Sequence, residues 1–546
     1  MSSSVSIFDS TESLINSPES YTKNFHVSII TSSNELISCE FKMELVSGKI
    51  IIKSKEDDEY KIRFNLSDTI SLLSEDDMES TQIHNKKMKI AQKYTDDILT
   101  RKKYAVINYY PKKNIKKCSC CQLLCLCYFC SVYQHKTQRV FQTIEMMLPL
   151  TAMKEIKNEI IKRNSNNTIL LSSILTTKKK YIFFTNNEYT RSSSVNVINA
   201  VFSKADLDIT NYDVSQIEDI INDLSIDECN GILFVDKNII AHEVINAIMK
   251  RNDHNIFLNK IPIGAIPINN SSNGLFQTIA FESKEEVNGE SAAFIISKGQ
   301  YKEIDIMQIT GENKDNELLP ENKDYEVVYS LVYLSMGNLG RIDAKLINGD
   351  SCCSSFSKKI NYLCGAMSAK PCKAMITYTR YHEEKEQSIN PAKTAVSYNV
   401  SASNSEISAN ISGLTMRSFK QKIIDENISY LLCSNLPYIS QNMHSAPKTS
   451  SNSGFCDLIV MKSARAGVFD IKKQIAETQY TGDYFFENGK LNRGLKVNYI
   501  SSSEWSITVK GNENALFYID GKEYRYNKIG VKVLPMKVKI FCINNY

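Results

Sequence analysis

The sequence carries almost no charge excess: 65 basic against 61 acidic residues leave a net charge of +4 over 546 residues, which gives no general attraction to nucleic acid. Any anionic partner has to be met locally. It also has no apolar run of the roughly 20 residues that cross a bilayer. The longest, within residues 121–133, falls far short, so no transmembrane helix is expected. The opening MSSSVSIFDSTESL has neither a basic n-region nor an apolar h-region, so a cytoplasmic location is expected. No internal repeat stands out. Without a secretory signal, the fifteen cysteines predict reduced thiols rather than a disulfide framework. What is present is apolar material, 42% of the residues, enough for two or three cores in a chain of this length.

Residues 1–20 are polar and are expected to be disordered. From 21 to 165 the chain runs in short β-rich pieces, FHVSII, ELISCEFKMEL, KIIIKS, YKIRFNL, YAVINYY and TQRVFQTIEM, and ends in a helix over about 151–162. This pattern predicts a meander of antiparallel strands, and strands closed by one helix suggest a pleckstrin-homology-like module. Between 178 and 289 the strand YIFFT, a helix near 195–202, the helix VSQIEDIINDLS, the strand GILFV and the helix AHEVINAIMKR alternate. Such alternation predicts a parallel α/β sheet. From 290 to 546 the runs AAFIIS, EIDIMQI, YSLVYLSM, KAMITYT, ISYLLCS, CDLIVMK, WSITVK, ALFYID and VKVKIFC read as strands of a mostly antiparallel β-sandwich domain. A polar, Ser- and Asn-rich surface insertion is expected over about 380–414.

Within the first module, KKNIKKCSCCQLLCLCYFC places Cys118, Cys120, Cys121, Cys125, Cys127 and Cys130 behind Lys112, Lys113, Lys116 and Lys117. Four thiolates satisfy tetrahedral zinc, but zinc sites usually present two pairs separated by a loop, and here the thiols are interleaved with Leu, Tyr and Phe. Clustered cysteines among apolar residues and lysines fit a reversibly palmitoylated loop on a membrane surface better. Zinc binding and a plain hairpin are the other readings.

The segment CNGILFVDKNIIAHEVINAIMKRNDHNIFLNKIPIGAIPINNSSNGLFQTIA resembles the central signature of sphingosine kinases and the related diacylglycerol kinases. There a strand ends in a Ser-Gly-Asp-Gly turn, a helix opens near His-Glu-Val, and a Pro-Ala-Gly-Ser-Gly-Asn loop follows. This chain keeps the frame, with Asp236, Lys237, Asn238 and Ile239 in the turn, then His242, Glu243, Val244 and Asn246, and later IPIGAIP with Asn273 and Gly274 after one inserted residue. AAFIISKGQYKEIDIMQIT and YSLVYLSMGNLGRIDAKL are similar to the family's strands around its lipid site. ISYLLCSNLPYISQNMHSAPKTSSNSGFCDLIVMKSA is similar to its Asn-x-Pro, Ala-Pro and Gly-x-x-Asp-Leu segment, and YIDGKEY to its Asp-Gly-Glu turn.

The resemblance implies an α/β kinase lobe with a parallel sheet, followed by a lipid-binding β-sandwich. It also implies transfer of the γ-phosphate of ATP, with Mg2+, to the primary hydroxyl of a sphingoid base or related lipid. It places Asp343 at the lipid head group, Lys237, Asn273, Gly274 and Asp520 at the nucleotide, and Asn238 at the position of the catalytic Asp. A lipid substrate without a spanning helix further implies peripheral attachment to a membrane surface. His242 and Glu243 fall on scaffold positions.

Phosphoryl transfer depends on amides and cations around the phosphates, magnesium, and a carboxylate near the attacking hydroxyl. In this chain the first phosphate loop reads TNNEYTRSSS, without the glycines that allow close backbone approach. Lys237 and Ile239 replace the glycines of the second loop, and an amide at Asn238 neither takes a proton nor supplies charge to a metal. Asp350 and Phe356 fall near the family's nucleotide-contacting arginines, and Lys522 replaces its last acidic residue, with Glu523 one position late. Two readings follow. One is an active, divergent lipid kinase in which Asp236 or Glu523 substitutes for the lost carboxylate. The other is a catalytically dead pseudokinase that needs no cofactor and keeps the lipid cleft as a binding or scaffolding site.

Overall fold

A computed structural model of the chain describes residues 22–30, 36–44, 48–54, 61–74, 102–115, 136–139, 142–164, 179–192, 194–268, 274–312, 325–337, 371–379, 421–440, 444–462, 486–487, 490–491, 497–510 and 515–543. The amino-terminal 1–20, the cysteines Cys118, Cys120, Cys121, Cys125, Cys127 and Cys130, Asn273, Asp343 and the 380–414 insertion lie outside the described residues. The chain is mixed α/β and divides into two compact units, one of 1–178 with 197–208 and 293–300, the other of 179–196, 209–292 and 301–546.

In the first unit seven strands form one sheet, in the order Lys61–Asn65, Lys49–Ser54, Leu36–Glu44, Thr22–Ile30, Gln142–Pro149, Lys102–Tyr109, Thr69–Ser74. Side chains alternate across a strand, so Val27, Ile29, Phe41, Met43, Ile50 and Ile52 share a buried face with Ile107, Ile144 and Met146. The helix Leu150–Asn164 covers this face with Met153, Ile156 and Ile160, a spacing of three and four that keeps them on one stripe. TQRVFQTIEM, read above as one strand, is two. Lys136–Arg139 pairs instead with Lys112–Ile115 in a separate antiparallel ladder, which sets the two ends of the cysteine insert side by side.

The second unit is built on one continuous sheet of parallel and antiparallel strands. Lys179–Thr185, Gly231–Val235 and Ile263–Ile266 pair in parallel. They are almost wholly apolar and buried, as central parallel strands must be when both faces are covered. The long strand Lys528–Phe541 meets Ile263 at Ile540 and pairs antiparallel with Tyr301–Glu312 and Glu504–Val509. It thereby joins the parallel strands to the ladder Glu504–Val509, Cys372–Thr379, Gln421–Ser434, Tyr333–Met336, Ala515–Ile519, Lys522–Tyr526. Inward side chains of this ladder, among them Leu334, Ile376, Leu431, Ile507 and Phe517, make one core with Ile529 of the long strand and Leu458 of Cys456–Lys462, which pairs antiparallel with Gln421–Ser434.

Two strand expectations are corrected. AAFIIS lies in the helix Gly289–Lys298. The Asn288 side chain accepts from the Ser291 amide at 2.7 Å, an N-cap bond, and Gly299 with φ 65° closes the other end. For so short an apolar run, the caps decide between helix and strand. YSLVYLSM is broken at Leu331 and Val332 into Glu326–Ser330 and Tyr333–Met336.

Candidate functional site

At the carboxyl end of Gly231–Val235 the chain turns through Asp236 and Lys237 into the helix Asn238–Lys250. Asp236 is 4% exposed, and its amide donates to the Ile266 carbonyl at 2.9 Å. Lys237 occupies the N-cap position in extended conformation without capping through its side chain. Asn238 is fully buried. Its Nδ2 donates to the Ile439 carbonyl at 3.0 Å, joining positions 201 residues apart. The Asn238 side chain is thus a brace between a helix start and the loop that follows Gln421–Ser434.

That loop also closes on Gly274, the first residue of the helix Gly274–Glu282. A Cβ on Gly274 would overlap the Tyr438 carbonyl oxygen and lie 2.7 Å from Val332 Cγ1 and 2.9 Å from the Ile439 carbonyl carbon. The glycine admits the backbone of 438–439. Asn435, in the Asn-x-Pro turn at the start of the loop, donates through Nδ2 to the carbonyls of Asp305 at 2.8 Å and Leu331 at 3.0 Å.

The helix Asn238–Lys250 is held from its other side by the break at Leu331 and Val332. Asn246 exchanges two hydrogen bonds with the Tyr329 backbone, at 2.9 and 2.8 Å. Asp520 and Gly521, with φ 47° and 88°, form the two-residue turn between Ala515–Ile519 and Lys522–Tyr526, the Asp-Gly hairpin in which both positions need positive φ. The fully buried Asp520 carboxylate accepts from Ser330 Oγ at 2.9 Å and from the amides of Leu331, Val332 and Tyr333 at 3.0, 3.1 and 2.8 Å. Four donors converge on it, and three of them are backbone amides at the strand break. His242 stands beside it, Nδ1 3.7 Å from Asp520 Oδ2 and Nε2 2.8 Å from the Tyr524 hydroxyl. Burial, with Glu326, Asp520 and Glu243 nearby, pushes the Tyr524 hydroxyl well above the ordinary tyrosine range.

Glu523 does not share this cluster. Neighbouring side chains of a strand point to opposite faces, so with Tyr524 turned toward His242, Glu523 faces away. It is about half exposed, and its carboxylate lies 3.5 Å from Arg525 and 3.4 Å from the Tyr518 hydroxyl. The structure therefore brings Asp236, Lys237 and Asn238 together by sequence, sets Gly274 against the loop that receives Asn238, and engages Asp520 with His242 and the 330–333 backbone.

After Lys179–Thr185, the expected first phosphate loop is a short capped helix. Asn186 Oδ1 accepts from the Tyr189 amide at 3.1 Å, Ser192 Oγ accepts from the Ser194 amide at 3.2 Å, and the Tyr189 ring packs on Phe183 at 4.7 Å. The amides of Tyr189, Thr190, Ser192 and Ser194 are bonded within the turn.

ATP and magnesium do not fit these residues. Asn238 Nδ2 is given to a carbonyl, the backbone of 438–439 fills the space beside Gly274 where a Cβ would stand, and Asp520 is enclosed by four donors. Among the described residues no group of three or more His, Cys, Asp or Glu side chains could hold a metal ion.

No family model and no curated protein matches the sequence. Among solved structures the chain is similar to one described as "a putative diacylglycerol kinase" from Bacillus anthracis str. Sterne, at 14% identity and a TM-score of 0.42, covering 67% of this chain and 98% of that one. A diacylglycerol kinase structure from the same organism is similar at 12% identity and a TM-score of 0.40, with 67% and 98% covered. This is a distant likeness in fold.

The residues that sequence reasoning did not single out are the partners: Ile439, Tyr438, Tyr524 and the backbone of 329–333. A main-chain carbonyl leaves no signature in sequence. The Asn-x-Pro turn was the one visible marker of the loop.

Proposed function

We propose that the chain is a lipid-kinase-like pseudokinase: a protein with the scaffold of the sphingosine and diacylglycerol kinases whose phosphoryl-transfer site has become structural, and which binds a sphingoid or related lipid at a membrane surface. The observation that carries this is Asn238, buried completely with its amide given to Ile439. An amide cannot abstract a proton or supply the negative charge a metal site needs, and its Nδ2 is held by a carbonyl of the protein. On this reading the first unit is the pleckstrin-homology-like module, the antiparallel part is the lipid-binding sandwich, and Asp343 meets the lipid head group. The insert 111–133 attaches the protein to the bilayer through its lysines and acylated cysteines, since stable attachment needs two signals. Serine at the six cysteines is expected to move the protein from membrane to soluble cell fractions, and an unchanged membrane fraction would remove this attachment from the proposal.

A second reading, an active divergent kinase, draws on Asp236, a buried carboxylate at the carboxyl end of a parallel strand, where open α/β sheets bind ligands. The experiment that separates the two is incubation of the full chain with γ-labelled ATP, magnesium and vesicles carrying sphingosine or diacylglycerol. Vesicle binding without label transfer is expected. Label in either lipid, lost in Asp236→Asn, would overturn the pseudokinase proposal.

A further inference from the structure

We propose that the outer face of the antiparallel ladder carries a binding site for a small neutral polyol, a sugar ring or a cyclitol, in a groove centred on Gly530. The site lies on different residues from those at 236–238 and does not depend on the function proposed above.

The groove has a volume of about 350 Å³ and runs across four neighbouring strands. In each strand the buried residues face the core, Ile309, Ile376, Ile507, Ile529 and Val531 among them. The alternate residues line the groove. Register places them in two rungs: Thr310, Gly530, Ser506 and Thr377 across one, with Gln308, Lys532 and Glu504 across the next.

Gly530 is kept by no ring or backbone contact, unlike two other glycines of the described residues. Gly231 is required because a Cβ would strike the Tyr181 and Phe541 rings at 2.8 and 2.9 Å, and Gly311 because it would overlap the Tyr526 ring. Gly530 does not have positive φ, and its Cβ would meet only the Thr310 hydroxyl at 3.2 Å. Glycine inside a strand weakens it and marks a place where something approaches closely. Here the Thr310 hydroxyl is the one protein atom that comes close, and the missing side chain keeps the middle of the groove open.

The lining selects the ligand class. Ser506 and Thr377 present hydroxyls, which both donate and accept, and so match a ligand whose groups do the same; the Thr310 hydroxyl, which donates to the Gly530 carbonyl at 3.3 Å, adds an acceptor. Glu504 and Lys532 are directly opposed across the strands, so the charges compensate and favour neither an anion nor a cation. A carboxylate beside hydroxyls can accept from both members of a vicinal diol.

Saturation-transfer NMR of the full chain with millimolar D-glucose, myo-inositol or glycerol tests this. Saturation of at least one polyol is expected. Gly530→Val, which fills the groove with a residue that strands favour, is expected to weaken the signal about tenfold, as the loss of more than one hydrogen bond would. Ser506→Ala combined with Thr377→Val is expected to act the same way without adding bulk. The single tryptophan, Trp505, is 2% exposed, so unshifted emission shows that the variants have folded. No saturation of any of the three polyols, or equal saturation in wild type and both variants, overturns the site. Displacement of the polyol by inorganic phosphate or spermidine overturns the neutral class.

Discussion

Asn238 can be taken for a degraded catalytic position or for a residue selected for its amide, and the two differ in what Asn238→Asp does. A carboxylate at 238 would present an oxygen to the Ile439 carbonyl where the amide now donates at 3.0 Å, and it would be fully buried. Loss of that bond with burial of an uncompensated acid costs on the order of 2–4 kcal/mol. Asn238→Asp is therefore expected to lower the free energy of unfolding, read by urea titration, by that amount and to yield no lipid phosphorylation, whereas a vestigial site would tolerate the change and could regain activity. The place of Asn238, at the turn from the GILFV strand into its helix, was legible in the sequence. Its purpose was not, because the acceptor is a backbone oxygen on a distant loop. Asp520 divides in the same way: Asp-Gly between ALFYI and KEYRY announces a hairpin turn, but not that the carboxylate gathers three amides from a strand break.

Elements were legible where periodicity was long and caps were plain. GILFV and the helix after it, the strands of the first module and its closing helix all follow from alternation or a three-four stripe. AAFIIS misled because a short apolar run fits either period, and Asn288 and Gly299 carried the deciding information. At the same scale, the fit of Gly274–Glu282 against the loop 435–440 rests on one absent side chain. Gly274→Ala places a Cβ against the Tyr438 carbonyl and Val332. Backbone cannot move aside as a flexible side chain can, so a loss of about 1–3 kcal/mol is expected, measurable by denaturant titration and exceeding that of Gly530→Ala, whose Cβ meets only a hydroxyl.

For the whole molecule, the sequence conveyed a mixed α/β chain with antiparallel strands at both ends. It did not show that the last strand, Lys528–Phe541, bonds to the parallel strands as well as the antiparallel ones, since pairing across hundreds of residues leaves no local trace. Global stability should carry a pH signature from the core. Burial raises the Asp457 carboxyl above its ordinary value, against the opposing effect of hydrogen bonds from Thr449, Tyr499 and Ser501. An acid whose folded pKa is raised binds more protons folded than unfolded, so its contribution is greatest below the unfolded value near 4 and declines as pH rises through the folded one. Asp457→Asn keeps an acceptor for Tyr499 and removes this titration. The stability of wild type relative to Asp457→Asn is therefore expected to fall from about pH 4 toward neutrality, as read by unfolding at a series of pH values. A difference independent of pH would show that Asp457 stays ionised.

On the proposed function the scaffold has lost its nucleotide site while keeping a lipid site. Thermal unfolding of the full chain in the presence of Mg-ATP tests it most directly, because a ligand bound only by the folded state adds about 2.7 kcal/mol at one hundred times its dissociation constant. No shift in midpoint is expected with Mg-ATP up to millimolar concentration, and a rising midpoint is expected with sphingosine. A saturable rise with Mg-ATP, abolished in Asp236→Asn, would contradict the claim.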